Sequence, residues 1–171
     1  MIDWAELYRE TCADLVRYLH RKVWDAERAR DLAQEVFARA LQHAARGHEP
    51  DHARAWLFSI AANLARDEAR MVIRRKRHLT LLQGALGDAA QADASADLER
   101  AEQEQAARAA LEELGERDRE VLLLWDAGLS YPEIAAHTGL ATGAIGTTLA
   151  RARRRLVEAH EALEARHVAR G

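Results

Sequence analysis

A run of cations between residues 66 and 77 is the first group of side chains in this sequence with an evident chemical use. Six basic residues stand there against two acidic ones, which gives the segment a net charge of +4. Arg66, Arg70 and Arg74 recur every four residues and therefore line one face of a predicted helix. Guanidinium groups in such a row bind phosphates and release counterions, so the pattern predicts a salt-dependent contact with nucleic acid.

An indole and an amide precede this row on the same predicted helix. Trp56 and Asn63 are seven residues apart and are therefore close in angle around the helix axis. An indole can stack on an unpaired base, and an amide can hydrogen-bond to the edge of that base. The alternative is that Trp56 is simply a core residue, and the spacing leaves both interpretations open.

A second helix carries an acidic and amide strip formed by Asp31, Gln34 and Glu35. Leu32 and Phe37 can turn inward beside this strip. Such a strip, next to an anchored aromatic ring, suits docking to a basic helical surface of a partner. Spacing alone favours the other interpretation, in which the strip is the solvated face of an ordinary helix.

The C-terminal part has the pattern of a helix-turn-helix unit. Residues 130–133 form a capping box, Gly139 provides a tight turn, and a last helix begins near Thr142. Its N-terminal turns would face bases in the major groove while its arginines reach phosphates. The residues expected to face inward on this helix are Ile145, Leu149, Leu156 and Val157. The arginines are Arg151, Arg153, Arg154 and Arg155.

Composition and periodicity predict an all-α protein with two small helical domains. The chain has 171 residues, 49% of them hydrophobic, and shows no convincing strand alternation. The predicted domains cover residues 1–78 and 105–171, and a flexible acidic linker covers 79–104. Residues 80–104 carry a charge of −5, so the overall charge of −3 averages basic and acidic segments rather than describing either.

The sequence gives little support for a disulfide, a metal site, a catalytic site or a membrane span. Cys12 is the single cysteine, which excludes an intramolecular disulfide, and its neighbours predict a buried, inert thiol. His43, His48 and His52 lack a fixed ligand spacing, so no metal or other cofactor is expected. We find no nucleophile motif or phosphate loop, and we expect no enzyme. No membrane span or signal peptide is evident, so we expect a cytoplasmic protein without membrane contact of its own.

The order of three segments resembles that of bacterial sigma factors. These segments are residues 31–37 (Asp-Leu-Ala-Gln-Glu-Val-Phe), 55–67 and 114–155. The short chain resembles the extracytoplasmic-function (ECF) group, which keeps only conserved regions 2 and 4. The resemblance covers roughly residues 4–77 and 105–160.

The resemblance implies an initiation factor that binds core RNA polymerase, directs it to promoter DNA and helps to melt the promoter. Region 2 would bind the clamp helices of the β′ subunit through Asp31, Leu32, Gln34, Glu35 and Phe37. It would bind and open the −10 element through Trp56, Asn63, Arg66, Arg70 and Arg74.

Region 4 would contact the β subunit and the −35 element. The DNA candidates are Arg119, Tyr131, Thr142, Thr147, Thr148, Arg151 and Arg154. By analogy with the group, an anti-sigma protein is a further candidate partner. The alternatives are a free-standing helix-turn-helix regulator that works without polymerase, and a protein-interaction module that never touches DNA.

Three departures from the family pattern stand out. Gly115 follows Leu114 where relatives often have proline, and Ser59 replaces a residue that is often basic. Residues 146–148 read Gly-Thr-Thr where relatives often have Lys-Ser-Arg. Because two cations are missing there, the preferred −35 sequence does not follow from the resemblance.

Overall fold

The computed structural model describes residues 2–47, 49–82 and 95–169, and the described part is built from α-helices without strands. This confirms the all-α prediction. No helix in these ranges is long and apolar enough to cross a membrane. The helices are α1 (Trp4–Val23), α2 (Ala26–Ala44), α3 (Ala53–Leu82), α4 (Ser95–Glu112), α5 (Glu116–Asp126), α6 (Tyr131–Thr138) and α7 (Thr142–Val168).

Helices α1, α2 and α3 pack into an N-terminal bundle. Asp3 caps α1 by accepting hydrogen bonds from the amides of residues 5 and 6, each 3.0 Å long, and Asp25 caps α2 in the same way. Trp24 ends α1 in the left-handed conformation at φ 55°. In the core, the rings of Tyr18 and Phe58 meet edge to face at 5.2 Å, which joins α1 to α3.

Helices α4 to α7 form a C-terminal unit in which α7 packs against α4, α5 and α6. Ser130 and Glu133 form the predicted capping box, with the Ser130 amide 2.8 Å from Glu133 Oε2. Gly139 ends α6 at φ 71°, a conformation that glycine adopts without the Cβ clash of other residues. Ile134 and Ile145 are fully buried between these helices. The capping box and the left-handed glycine predicted for the helix-turn-helix are therefore both present.

Some helix boundaries and facings differ from the sequence expectations. Helix α3 continues to Leu82, and α4 begins at Ser95 inside the stretch expected to be linker. The middle of that stretch, residues 83–94, lies outside the described residues. Val157 is 56% exposed, so its predicted inward facing is wrong. Consecutive residues lie about 100° apart on a helix, so Leu156, packed against the core, turns Val157 outward.

Candidate nucleic-acid and partner interfaces

Helix α2 presents the acidic and amide strip at the surface. Asp31 and Gln34 are exposed, and Glu35 is half-buried. The Glu35 carboxylate accepts a hydrogen bond of 2.5 Å from Arg39, one turn further along the helix. The strip therefore offers a partner two carboxylates and one amide, and the Glu35 carboxylate is already paired with Arg39.

Leu32 and Phe37 do not belong to this surface. They are only 1% and 6% exposed, and their assignment as direct contacts with a partner stays a prediction. Their apolar side chains gain more from the bundle core than from an exposed position. The exposed ring of Tyr8 on α1 packs edge to face with the Phe37 ring, at a centroid distance of 4.7 Å. Sequence spacing gave no signal for Tyr8 because it lies on a different helix.

The predicted cationic row runs along the exposed side of α3. Arg66, Arg70 and Arg74 are all exposed, as the four-residue spacing predicts. Arg66 donates a 3.0 Å hydrogen bond to Asn63 Oδ1, so the amide and the first guanidinium form one unit. The side chains of residues 76–82 are outside the described set. Within it, α3 offers a row of cations long enough to follow a phosphate backbone.

Trp56 lies half-buried where α3 meets α1 and α2. Its ring packs edge to face with the rings of Trp4 and His43, at centroid distances of 6.4 Å and 5.7 Å. It packs against the hydrophobic core and keeps part of its surface exposed. Trp56 is therefore a packing residue with one accessible side, and its stacking on a base stays a prediction. His48 lies outside the described residues, and the rest of the described chain contains no cluster that could hold a metal.

Helix α7 and its neighbours present part of the predicted −35 surface. The exposed members are Tyr131, Thr142, Thr147, Arg151 and Arg154, and Arg119 is half-buried. Thr148 is only 6% exposed, so its hydroxyl does not lie on a surface that a duplex could reach in this conformation. It packs inward because Thr148 adjoins Leu149 and lies one turn from Ile145, on the buried side of α7.

Three of the four arginines between residues 151 and 155 of α7 are held by α5. Arg151 and Arg155 bind the carboxylate of Asp118, and the guanidinium of Arg153 lies 3.8 Å from the ring centroid of Trp125. The Arg151 hydrogen bonds lower the pKa of Asp118, while burial opposes that shift. Asp118 is 33 residues from Arg151 in sequence, and no local pattern indicated this pairing.

Family comparisons match both bundles. The model described as Sigma-70 region 2 matches residues 7–77, and that of Sigma-70 region 4 matches residues 104–156. The ECF RNA polymerase sigma factor EcfG of Rhodopseudomonas palustris (strain TIE-1) is 37% identical over 135 residues, covering 77% of this chain and 71% of the relative. The RNA polymerase sigma factor YlaC of Bacillus subtilis (strain 168) is 31% identical and covers 86% of each chain.

Solved structures agree with this relationship. A sigma factor RpoE in complex with the anti-sigma factor NepR from Bartonella quintana has a TM-score of 0.61 at 26% identity, covering 93% of this chain and 97% of the other. CnrH in complex with the cytosolic domain of CnrY has a TM-score of 0.64 at 27% identity, covering 93% and 88%. The chain therefore belongs to the ECF RNA polymerase sigma factors, which are transcription initiation factors rather than enzymes.

Proposed function

We propose that this sigma factor binds core polymerase with one face of the N-terminal bundle and promoter DNA with another. The strip of Asp31, Gln34 and Glu35 on α2 binds the β′ clamp helices of core polymerase. The row of Arg66, Arg70 and Arg74 on α3, together with Asn63 and the accessible side of Trp56, binds and opens the −10 element. The observation that carries the proposal is that both sets of side chains lie fully or partly at the surface on different helices of one bundle, so both can be occupied at the same time.

The C-terminal unit supplies the second promoter contact in this proposal. The exposed side chains of Thr142, Thr147 and Arg154 face the −35 element, and Tyr131 and Arg119 flank it. Thr hydroxyls bond phosphates or bases, and Thr methyl groups pack on thymine. Arg151 contributes chiefly by orienting α7 through Asp118. The unit also binds the β subunit of polymerase.

Run-off transcription with purified core polymerase tests this function directly. We expect the chain to bind core polymerase and to start transcripts at a defined set of promoters found by start-site mapping. A control sigma factor establishes that the core is competent. No core binding under conditions in which the control binds would overturn the proposal. Tight operator binding by the isolated chain, without core, would point instead to a free-standing helix-turn-helix regulator.

An anti-sigma protein is proposed as a further partner. Support comes from the RpoE structure, which is a complex with an anti-sigma factor. Co-purification of a tagged chain from its own host, followed by loss of run-off activity when the captured protein is added back, would establish this partner. If the captured proteins leave run-off unchanged, the chain is not regulated in that way.

A further inference from the structure

The first half of α7 is rich in cations and carries no acidic residue of its own. Between Ala141 and Val157 the sequence contains four arginines and no aspartate or glutamate. Such a helix attracts the phosphates of any duplex, because phosphate contacts carry no sequence information. Whatever balances these arginines therefore affects how strongly α7 binds DNA and how well it distinguishes one sequence from another.

Asp118 of α5 supplies the carboxylate that faces this stretch. Its side chain is 5% exposed, and both of its oxygens are occupied. Oδ1 accepts a hydrogen bond from Arg151 Nη2 at 2.5 Å, and Oδ2 accepts from Arg151 Nε at 3.0 Å and from Arg155 Nη1 at 3.1 Å. Arginine binds a phosphate with the same fork of two parallel N–H donors. Asp118 thus takes the donors of Arg151 that a phosphate would take.

Burial does not keep these two arginines from DNA. The side chains of Arg151 and Arg155 are 42% and 52% exposed. Thr147, Arg151 and Arg154 are four and three residues apart, so they lie within about 60° of one another around the axis of α7. Arg151 therefore belongs to the face that is proposed to meet the −35 element, and its pairing with Asp118 is what occupies it.

Arg154 differs from its neighbours in this respect. Its side chain is 71% exposed, and its ion pair with Glu158, one turn further along, is 3.7 Å long. Exposed pairs of this kind contribute little to stability, so Arg154 can exchange its partner for a phosphate. Arg153 lies 3.8 Å from the ring centroid of Trp125 on α5. Within the part of the chain that the structure describes, Arg154 is thus the member of the four without a contact to α5.

The residues at the start of α7 reduce its phosphate contacts further. Residues 146–148 read Gly-Thr-Thr where relatives often have Lys-Ser-Arg, so two cations are missing. Thr142 and Thr147 are exposed and offer hydroxyl and methyl groups, which can contact bases. The exposed face of α7 is therefore poor in unpaired cations although the sequence of the helix is rich in arginine.

We propose that Asp118 withholds Arg151 and Arg155 from phosphates, and so favours binding of α7 at the −35 element over binding at other sequences. The inference rests on the proposed function, since it concerns the same −35 surface. Phosphate contacts raise the affinity for every duplex, whereas base contacts from a correctly oriented helix raise it only for the matching sequence. Asp118 lowers the first contribution and, by joining α7 to α5, maintains the second. It is a positioning residue because it acts through the arginines.

Two neighbouring arginines test the proposal without altering Asp118. Arg154→Gln and Arg155→Gln each remove one exposed cation from the same turn of α7. Reconstituted holoenzyme binds a labelled promoter fragment at a series of salt concentrations, and fluorescence anisotropy gives the slope of log K against log salt. We expect R154Q to reduce the magnitude of this slope by about 0.9 and R155Q to leave it unchanged. An equal reduction in both variants would show that Arg155 already binds a phosphate, and would overturn the proposal.

Freeing the arginines tests the same idea in the opposite direction. Asp118→Asn is compared with Glu116→Gln, which removes the same charge from an exposed position on the same helix. On a promoter fragment with a scrambled −35 element, we expect D118N to bind about tenfold more tightly near 0.1 M salt, with a slope steeper by about 0.9 to 1.8. E116Q should bind as wild type. Thermal melting checks that both variants fold, and an unaltered slope for folded D118N would overturn the proposal.

A combined variant and the wild-type protein complete the test. In a chain that also carries Arg151→Gln and Arg155→Gln, D118N should no longer steepen the slope; if it still does, the arginines do not mediate the effect and the proposal is wrong. Equal binding of wild-type holoenzyme to the intact and scrambled fragments would contradict the proposed −35 function instead. Discrimination by the wild type, with R154Q and R155Q behaving alike, would overturn only the role of Asp118.

Discussion

Arg151 of α7 and Asp118 of α5 form a bidentate ion pair, with 3.0 Å between Nε and Oδ2 and 2.5 Å between Nη2 and Oδ1. Arg155 adds a third hydrogen bond of 3.1 Å to the same carboxylate. The Asp118 side chain is only 5% exposed, whereas both guanidinium groups reach solvent. Arg151, for which the family resemblance predicts DNA contact, thus also links α7 to α5.

Replacing Asp118 by Asn should destabilise the protein by about 1–3 kcal/mol, since hydrogen bonds between charged groups are lost while the arginines remain partly solvated. Urea denaturation measures the free energy of unfolding. Glu113→Gln, at an exposed position between α4 and α5, is the matched control and should change stability little. Equal stability of D118N and wild type would show that the pair contributes nothing to folding.

The same carboxylate should make stability depend on pH. The pKa of Asp118 is lower in the folded protein than its ordinary value of 3.8, so its contribution is complete above that value and is lost as pH falls through the folded pKa. Between pH 5 and the acid limit of folding, wild type should therefore lose more stability than D118N. Parallel curves for the two proteins would contradict this assignment.

Two glycines of the helix-turn-helix should respond to alanine in opposite directions. A Cβ at Gly146 would meet Tyr131 at 3.6 Å, an ordinary contact, so G146A should stabilise α7 by about 0.5–1 kcal/mol through helix propensity. Gly139 has φ 71°, so G139A should destabilise by about 1–2 kcal/mol. Thermal unfolding of the two variants checks both signs. Loss of stability in G146A would mean that α7 needs the glycine for packing.

Two glutamines on α2 separate polymerase binding from folding. Gln34 lies in the proposed docking strip, and Gln42 is exposed two turns further along the same helix. We expect Q34A, alone or with Asp31→Ala, to weaken core binding at least about tenfold, as a central polar interface contact does. Q42A should bind as wild type, and melting temperatures should agree. Unchanged affinity of the D31A/Q34A variant would show that the strip is an ordinary solvated face.

The exposed arginines of α3 should set the salt dependence of promoter binding. Each of Arg70→Ala and Arg74→Ala removes one phosphate contact, so the slope of log K against log salt should fall by about 0.7–0.9 per substitution. Fluorescence anisotropy with holoenzyme and a partly single-stranded promoter gives the slope. Arg9→Ala removes an exposed cation from α1 and should leave it unchanged. An unaltered slope in R70A would remove Arg70 from the DNA surface.

Local sequence signals predicted local structure well. The capping box at Ser130 depends on a neighbour three residues away, and it forms as predicted. The four-residue spacing of the α3 arginines likewise fixed their common exposed face. Thr148 was harder to place because threonine fits both a buried and an exposed position, and periodicity does not decide which side of a helix another helix covers.

Sequence alone determined the helical class, the caps and the family, since each depends on short motifs and their order along the chain. Tertiary structure decided which charged side chains are paired with one another. It paired Arg151 with Asp118 and brought Glu120 to Tyr18, Lys22 and His137. These partners are 17 to 102 positions apart, and their meeting depends on how separate helices pack, a property that no local pattern encodes.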